Sequence, residues 1–262
     1  MHPSLVHKKP MLFALTVVLP VCGLAQNAPH MSENAHPSFE VATIRPSDPN
    51  DDHQGVHLTG HQILIENQTL KSLVTSAFTI QKQQIVGAPA WFSTERFDID
   101  GVSDIDGIPS DSQLQEMLQK LLANRFGLKV HRDKKEIPCY AVTVLKSGSK
   151  LVPSKKDPND PPEQPARGHG NHMIIRFTNN TMADFAFGIQ FYMDRPVVDQ
   201  TDPPWKYDVT MEWTPDIGQV TESNAPPGIF TAIQEQLGLK LEPKKALVDV
   251  LVIDQIERPS AN

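Results

Sequence analysis

An α+β fold, with helices packed on one face of a mainly antiparallel sheet, is the architecture this sequence predicts. Three observations predict it. Sequence blocks recur in one order at an offset near 111 residues, apolar residues switch between strand and helix periods within each copy, and capping residues stand where the period changes. The composition agrees: 262 residues with 39% hydrophobic and 21% charged exclude collagenous, coiled-coil and disordered classes. With 23 Pro against 14 Gly, long irregular loops are expected rather than a helical bundle.

The repeat is read from three blocks. His61 to Ile65 with Thr69-Leu70 recurs as His172 to Arg176 with Thr181-Met182. Val86, Trp91 and Phe97-Asp98-Ile99 recur as Val198, Trp205 and Tyr207-Asp208-Val209, and Gly127-Leu128-Lys129-Val130 recurs as Gly238-Leu239-Lys240-Leu241. Two tandem β-α-β-β-α-β-β units follow, at 57–150 and 168–262. A linker with a first strand precedes them at 26–56, and a Pro-rich linker joins them at 151–167.

Each element has a local reason. Ile63 to Glu66 is strand-like, and Leu70, Leu73, Val74, Ala77 and Phe78 form the apolar face of a short helix opened by Thr69. Met182, Phe185, Ala186 and Ile189 repeat that face behind a Thr181 to Asp184 capping pattern. Ile85 to Trp91 reads as extended and Phe97 to Val102 as a strand. A second helix carries Leu114, Met117, Leu118, Leu121 and Leu122 on one face, with a Ser110 to Gln113 capping box before it and Gly127 as its stop. Two strands are expected to close the first unit, Leu128 to Arg132 and Tyr140 to Leu145. Leu239 to Glu242 and Val248 to Asp254 take their places in the second.

Residues 1–25 read as a signal peptide. His7, Lys8 and Lys9 precede the apolar run Met11 to Val21, which is too short to span a bilayer, and Gly23-Leu24-Ala25 offers small residues for cleavage before Gln26. A retained anchor is the weaker reading, since Pro20 interrupts the run. A lipoprotein at Cys22 is weaker too, because Val21 fits a lipobox poorly. The expected location is secreted or periplasmic, with no stable membrane insertion after cleavage. Loss of Lys8 and Lys9 moves the formal charge from −7 to −9 (22 basic against 31 acidic residues), a balance that repels nucleic acid. Cys139 is then the sole thiol, and its alternating strand context predicts a buried packing role rather than a nucleophile.

The residues also resemble a known family. Phe39-Glu40-Val41-Ala42-Thr43-Ile44-Arg45-Pro46-Ser47, Leu121 to Phe126, Arg195 to Asp199 with Tyr207-Asp208, and Glu235-Gln236-Leu237-Gly238-Leu239-Lys240-Leu241 through Val252-Ile253-Asp254 are similar to the soil-associated secreted family of unknown function expanded in acidobacteria. The resemblance spans Ser38 to Asn262. It implies a domain also found attached to penicillin-sensor type membrane metallopeptidases, and hence an extracytoplasmic sensing or interaction role. The His-Glu-x-x-His motif of such a peptidase is absent from this sequence. More weakly, the Leu-Leu run with its following strands is similar to the periplasmic modules of secretins and TonB-dependent receptors.

Motifs for chemistry are sparse. There is no Gly-x-Ser-x-Gly, Gly-x-Gly-x-x-Gly or P-loop. Asp98, Asp100, Asp104 and Asp106 are read as a solvated strand face and acidic loop, and Asp98 and Asp208 as carboxylates that orient backbone at strand entry. Trp91, Trp205 and Trp213 are read as wedges over sheet edges rather than ligand platforms. His53, His57 and His61, His169 and His172, and the Asp51-Asp52 pair have spacings that metals use, yet the spacing differs between the copies, so no metal site is expected. No catalytic, cofactor-binding or metal-ligating residue is assigned and no cofactor is expected. The expected function is non-catalytic binding, sensing or interaction with a protein or small ligand in the cell envelope. The alternative is a hydrolase, metal-dependent in one form, with its cleft between the repeats. Such a cleft is expected where the copies differ, above all at Gly218 to Pro227 with Glu222, Ser223 and Asn224.

Overall fold

In chain order the elements are β1 (Phe39–Pro46), β2 (Gly55–Thr59), β3 (Gln62–Thr69), α1 (Leu70–Phe78), β4 (Ile85–Val86), β5 (Arg96–Ser103), α2 (Asp111–Phe126) and β6 (Lys129–Val144). They continue with β7 (Val152–Pro153), β8 (Ala166–His169), β9 (His172–Asn180), α3 (Met182–Ile189), β10 (Val197–Asp199), β11 (Tyr207–Trp213), α4 (Ile229–Leu237) and β12 (Leu239–Gln255). The computed structural model describes residues 29–163, 166–169 (backbone only), 172–201, 205–215 and 226–259. Residues 1–25, read above as a signal peptide, and Glu222, Ser223 and Asn224 lie outside the described residues.

The α+β class holds: helices pack on three four-stranded sheets, ordered β1-β5-β3-β2, β10-β6-β12-β4 and β7-β11-β9-β8. Pairing is antiparallel except for β10 with β6 and β4 with β12, which are parallel. The caps explain why the helices start and stop where they do. Thr69 Oγ1 accepts the Ser72 amide, while Ser110 with Gln113 and Thr181 with Asp184 each form a reciprocal capping box. α2 and α4 end at Gly127 and Gly238, both left-handed.

Two cores result. Ile63, Ile65, Phe97 and Ile99 meet the apolar faces of α1 and α2 in the first, and Phe177, Val209, Met211 and Trp213 meet α3 and α4 in the second. The central ribbon joins them. β6 begins beside the first core at Val130 and ends in the second at Val142, while β12 runs from Leu239 in the second core to Leu251 and Ile253 in the first.

This ribbon corrects the sequence reading. The two closing strands expected at Leu128–Arg132 and Tyr140–Leu145 are one strand of 16 residues, and those expected at Leu239–Glu242 and Val248–Asp254 are one of 17. The charged run Asp133 to Glu136 and Pro138 suggest a break, but β6 and β12 pair with each other across it, Asp133 facing Val250 and Pro138 facing Lys245. Partnered backbone on a solvated ribbon needs no apolar face. The extended reading of Ile85 to Trp91 is corrected as well. Only Ile85–Val86 is strand, after which Gly87 (φ +82°) turns the chain into a 3-10 turn at Ala90–Ser93. The Pro-rich stretch between the halves supplies the two short edge strands β7 and β8.

Candidate functional site

Asn67, near the end of β3, is left-handed (φ +54°), where the pairing of β3 with β5 slips between Ile65 and Gln68. Asn tolerates that geometry better than most residues. The slip removes the Asn67 amide from the ladder, and Asp98 of β5 accepts it at 3.0 Å. Asp98 also accepts Ser47 Oγ at 2.7 Å and Arg45 Nε at 3.3 Å. Partial burial works against its charge, but these donors outweigh the burial and hold the carboxyl below its ordinary value. In the second half Asp208 accepts the Asn179 amide at 3.0 Å, and Asn179 is left-handed too (φ +59°).

Around Asn67 opens a cleft of about 560 Å3. The loop Pro46 to Gln54 forms one wall and Thr94 to Phe97 the other, bringing Asp48, Asp51, Asp52 and Glu95 together against one cation, Arg96. Arg96 Nη1 is turned to the Asn67 carbonyl at 2.7 Å. Hydrogen bonds from His53 keep Asp51 below the usual carboxylate range, and the Arg258 guanidinium does the same for Glu95. Arg258 in turn stacks on Trp91, 4.8 Å from the ring centroid. Asn67 is only 5% exposed. Its Nδ2 donates to the Asp51 carbonyl, while its Oδ1 accepts nothing among the described residues. The cleft thus presents ionised carboxylates and one uncommitted amide oxygen.

The other residues singled out by sequence are dispersed. His53 pairs with Asp51, His57 with Glu66, His61 with Asp106 and His172 with Glu212, each with a different carboxylate. Among the described residues no group of three or more His, Cys, Asp or Glu has the arrangement of a metal site. Asp100 accepts Gln62 Nε2, and Asp104 accepts the Ser38 amide. Trp213 is buried against Tyr192, Trp91 packs on the first core and Trp205 is 63% exposed. Cys139 is fully buried, and burial pushes its thiol up. The His169 side chain lies outside the described part of the structure. Sequence reasoning missed Asn67 and Glu95. The signal for Asn67 was present as an Asn two places before an N-cap Thr in each half, Asn67-Gln68-Thr69 and Asn179-Asn180-Thr181.

The fold defines an α+β protein of two helix-on-sheet halves joined by a long two-stranded ribbon, with an acidic cleft on the first half. Residues 71–256 match the family described as protein of unknown function DUF3738, and the chain belongs to that family. Comparison with curated proteins and with solved structures finds no match.

Proposed function

We propose that the protein is an exported, non-catalytic binding or sensing module whose cleft at Asn67 recognises a cationic group on an envelope ligand. The observation that carries this reading is the pairing of ionised carboxylates with the uncommitted Oδ1 of Asn67, 5% exposed at the floor of that cleft. An ammonium or guanidinium supplies a donor for Asn67 Oδ1 and positive charge for a lining in which four carboxylates stand against Arg96. Hydrolysis by a carboxylate pair needs one acid that keeps its proton near neutral pH. Asp51, Glu95 and Asp98 are all pushed the other way.

In this reading residues 1–25 direct export, and the chain serves the extracytoplasmic sensing role implied by its resemblance to the soil-associated acidobacterial family and the metallopeptidase-linked domains. The two halves are then copies of one unit. The ribbon register supports this: Glu136 faces Leu247, its own counterpart 111 positions on, as a twofold axis between copies requires. Likewise Ile85 faces Leu251 as Val197 faces Tyr140.

The test is calorimetric titration of the protein lacking residues 1–25 with spermidine and with tetralysine at low and high salt. Binding that weakens with salt and is lost in Asp48→Asn/Asp52→Asn is expected. Absence of binding at low salt, or binding indifferent to that double substitution, overturns the reading.

A further inference from the structure

We propose that a groove at the junction of the two halves is a second binding site, for a neutral saccharide, with the ring of Phe191 as its stacking platform. Two clefts meet at this ring. One, of about 350 Å3, is lined by Ser76 and Thr79 beside α1, Asp111 and Gln115 of α2, and Phe191 from the other half. The second, of about 390 Å3, runs from Phe191 past Tyr192 to Trp213 and Thr214.

Phe191 is 45% exposed and Tyr192 39% exposed, although large aromatic rings are ordinarily drawn into cores. Their backbone is nonetheless pinned. Gln81, from the first half, donates through Nε2 to the carbonyls of Gln190 and Met193, the residues on either side of the pair, and Gln83 donates to the Asp194 carbonyl. Phe187 braces the Phe191 ring edge to face, with centroids 5.3 Å apart. An exposed ring on a backbone fixed from both halves is preorganised to bind.

Thr79 supplies an independent observation. It caps α1 at φ +51°, ψ +54°, a left-handed conformation that a β-branched residue adopts only under strain. α2 and α4 use Gly at the same place. At this strained position Thr79 lines the first cleft, and its side chain makes no hydrogen bond among the described residues, nor do the side chains of Ser76, Asp111 and Gln115.

The lining selects the ligand class. Neither cleft is lined by a cationic side chain, so the groove does not suit phosphate or carboxylate ligands. Helices and a 3-10 turn wall the first cleft, leaving no strand edge to pair with an extended peptide. A pyranose fits both kinds of surface, its C–H face on Phe191 and its hydroxyls toward Ser76, Thr79, Asp111 and Gln115.

The protein lacking residues 1–25 is titrated by calorimetry with cellotetraose, maltotetraose and the tetramer of N-acetylglucosamine. Saturable binding of at least one is expected, weakened about tenfold or more by Phe191→Ala. Thr79→Gly separates recognition from folding: it is expected to raise the melting temperature by relieving the backbone while weakening binding several-fold. No binding of any of the three at concentrations on the order of 10 mM, or binding unchanged in both variants, overturns the proposal. These outcomes are independent of the acidic cleft at Asn67, which shares no residue with the groove.

Discussion

Asp98 accepts the backbone amide of Asn67 at 3.0 Å, and through it one carboxylate stands in for the strand partner that the irregular pairing of β3 and β5 removes. An amide left unmade there would be only partly hydrated, and such groups are costly. Asp208 does the same for Asn179 at 3.0 Å, beside the pairing irregularity of β11 with β9. The acidic cleft therefore rests on a carboxylate already committed to the backbone.

Asp98→Asn should lower stability by about 1 to 3 kcal/mol at neutral pH. The folded-state carboxyl lies below its ordinary value, so its contribution is present above the unfolded pKa and is lost as pH falls through the folded one. The deficit of the variant should therefore shrink in acid. Urea denaturation at pH 7 and near pH 3 checks this, and equal deficits at both would refute the linkage.

The two helix-ending glycines should respond unequally to alanine. Gly127 sits at φ +58°, and an added Cβ would meet only Glu257 Cδ, at 3.9 Å, so Gly127→Ala should cost about 1 to 2 kcal/mol from backbone strain alone. At Gly238, φ +67°, a Cβ would stand 2.6 Å from the Gly148 carbonyl oxygen and 2.9 Å from the Lys150 amide, both backbone. Gly238→Ala should cost clearly more, as read by thermal denaturation of both variants side by side.

Leu122 is fully buried between α2 and the first sheet. Leu122→Ala should cost about 2 to 5 kcal/mol, the usual range for emptying such a site. Chemical denaturation measures it, and a loss well below that range would mean the first core collapses around the gap.

Cys139 should resist thiol reagents in the native state, because burial both hides the sulfur and disfavours its thiolate. In a Cys22→Ser background, one thiol should react with a disulfide reagent in denaturant and almost none without it. Rapid native labelling would show that the centre of the ribbon opens easily.

Much of this molecule was legible in local pattern. Thr69, Ser110 and Thr181 announce helix starts, Gly127 and Gly238 helix ends, and the apolar spacing in Leu114 to Leu122 a buried face, because capping and periodicity act within a few residues. The roles of Asp98 and Asp208 were readable too, since each stands near the start of its strand. The cleft was not. Asn67, Asp52 and Glu95 come from separate segments, and nothing local to any of them signals the others.

By itself, then, the sequence determined the α+β class, the helices with their caps and the burial of Cys139, since short-range hydrogen bonding and hydrophobic period decide these. Only the tertiary structure decided that β6 and β12 run unbroken from one core to the other. A charged stretch such as Asp133 to Glu136 becomes strand when a partner more than 100 residues away satisfies its backbone. It likewise decided that Phe191 stands beside Thr79, because Gln81 of one half grips the turn of the other, and such a contact between distant segments leaves no trace in either one's sequence period.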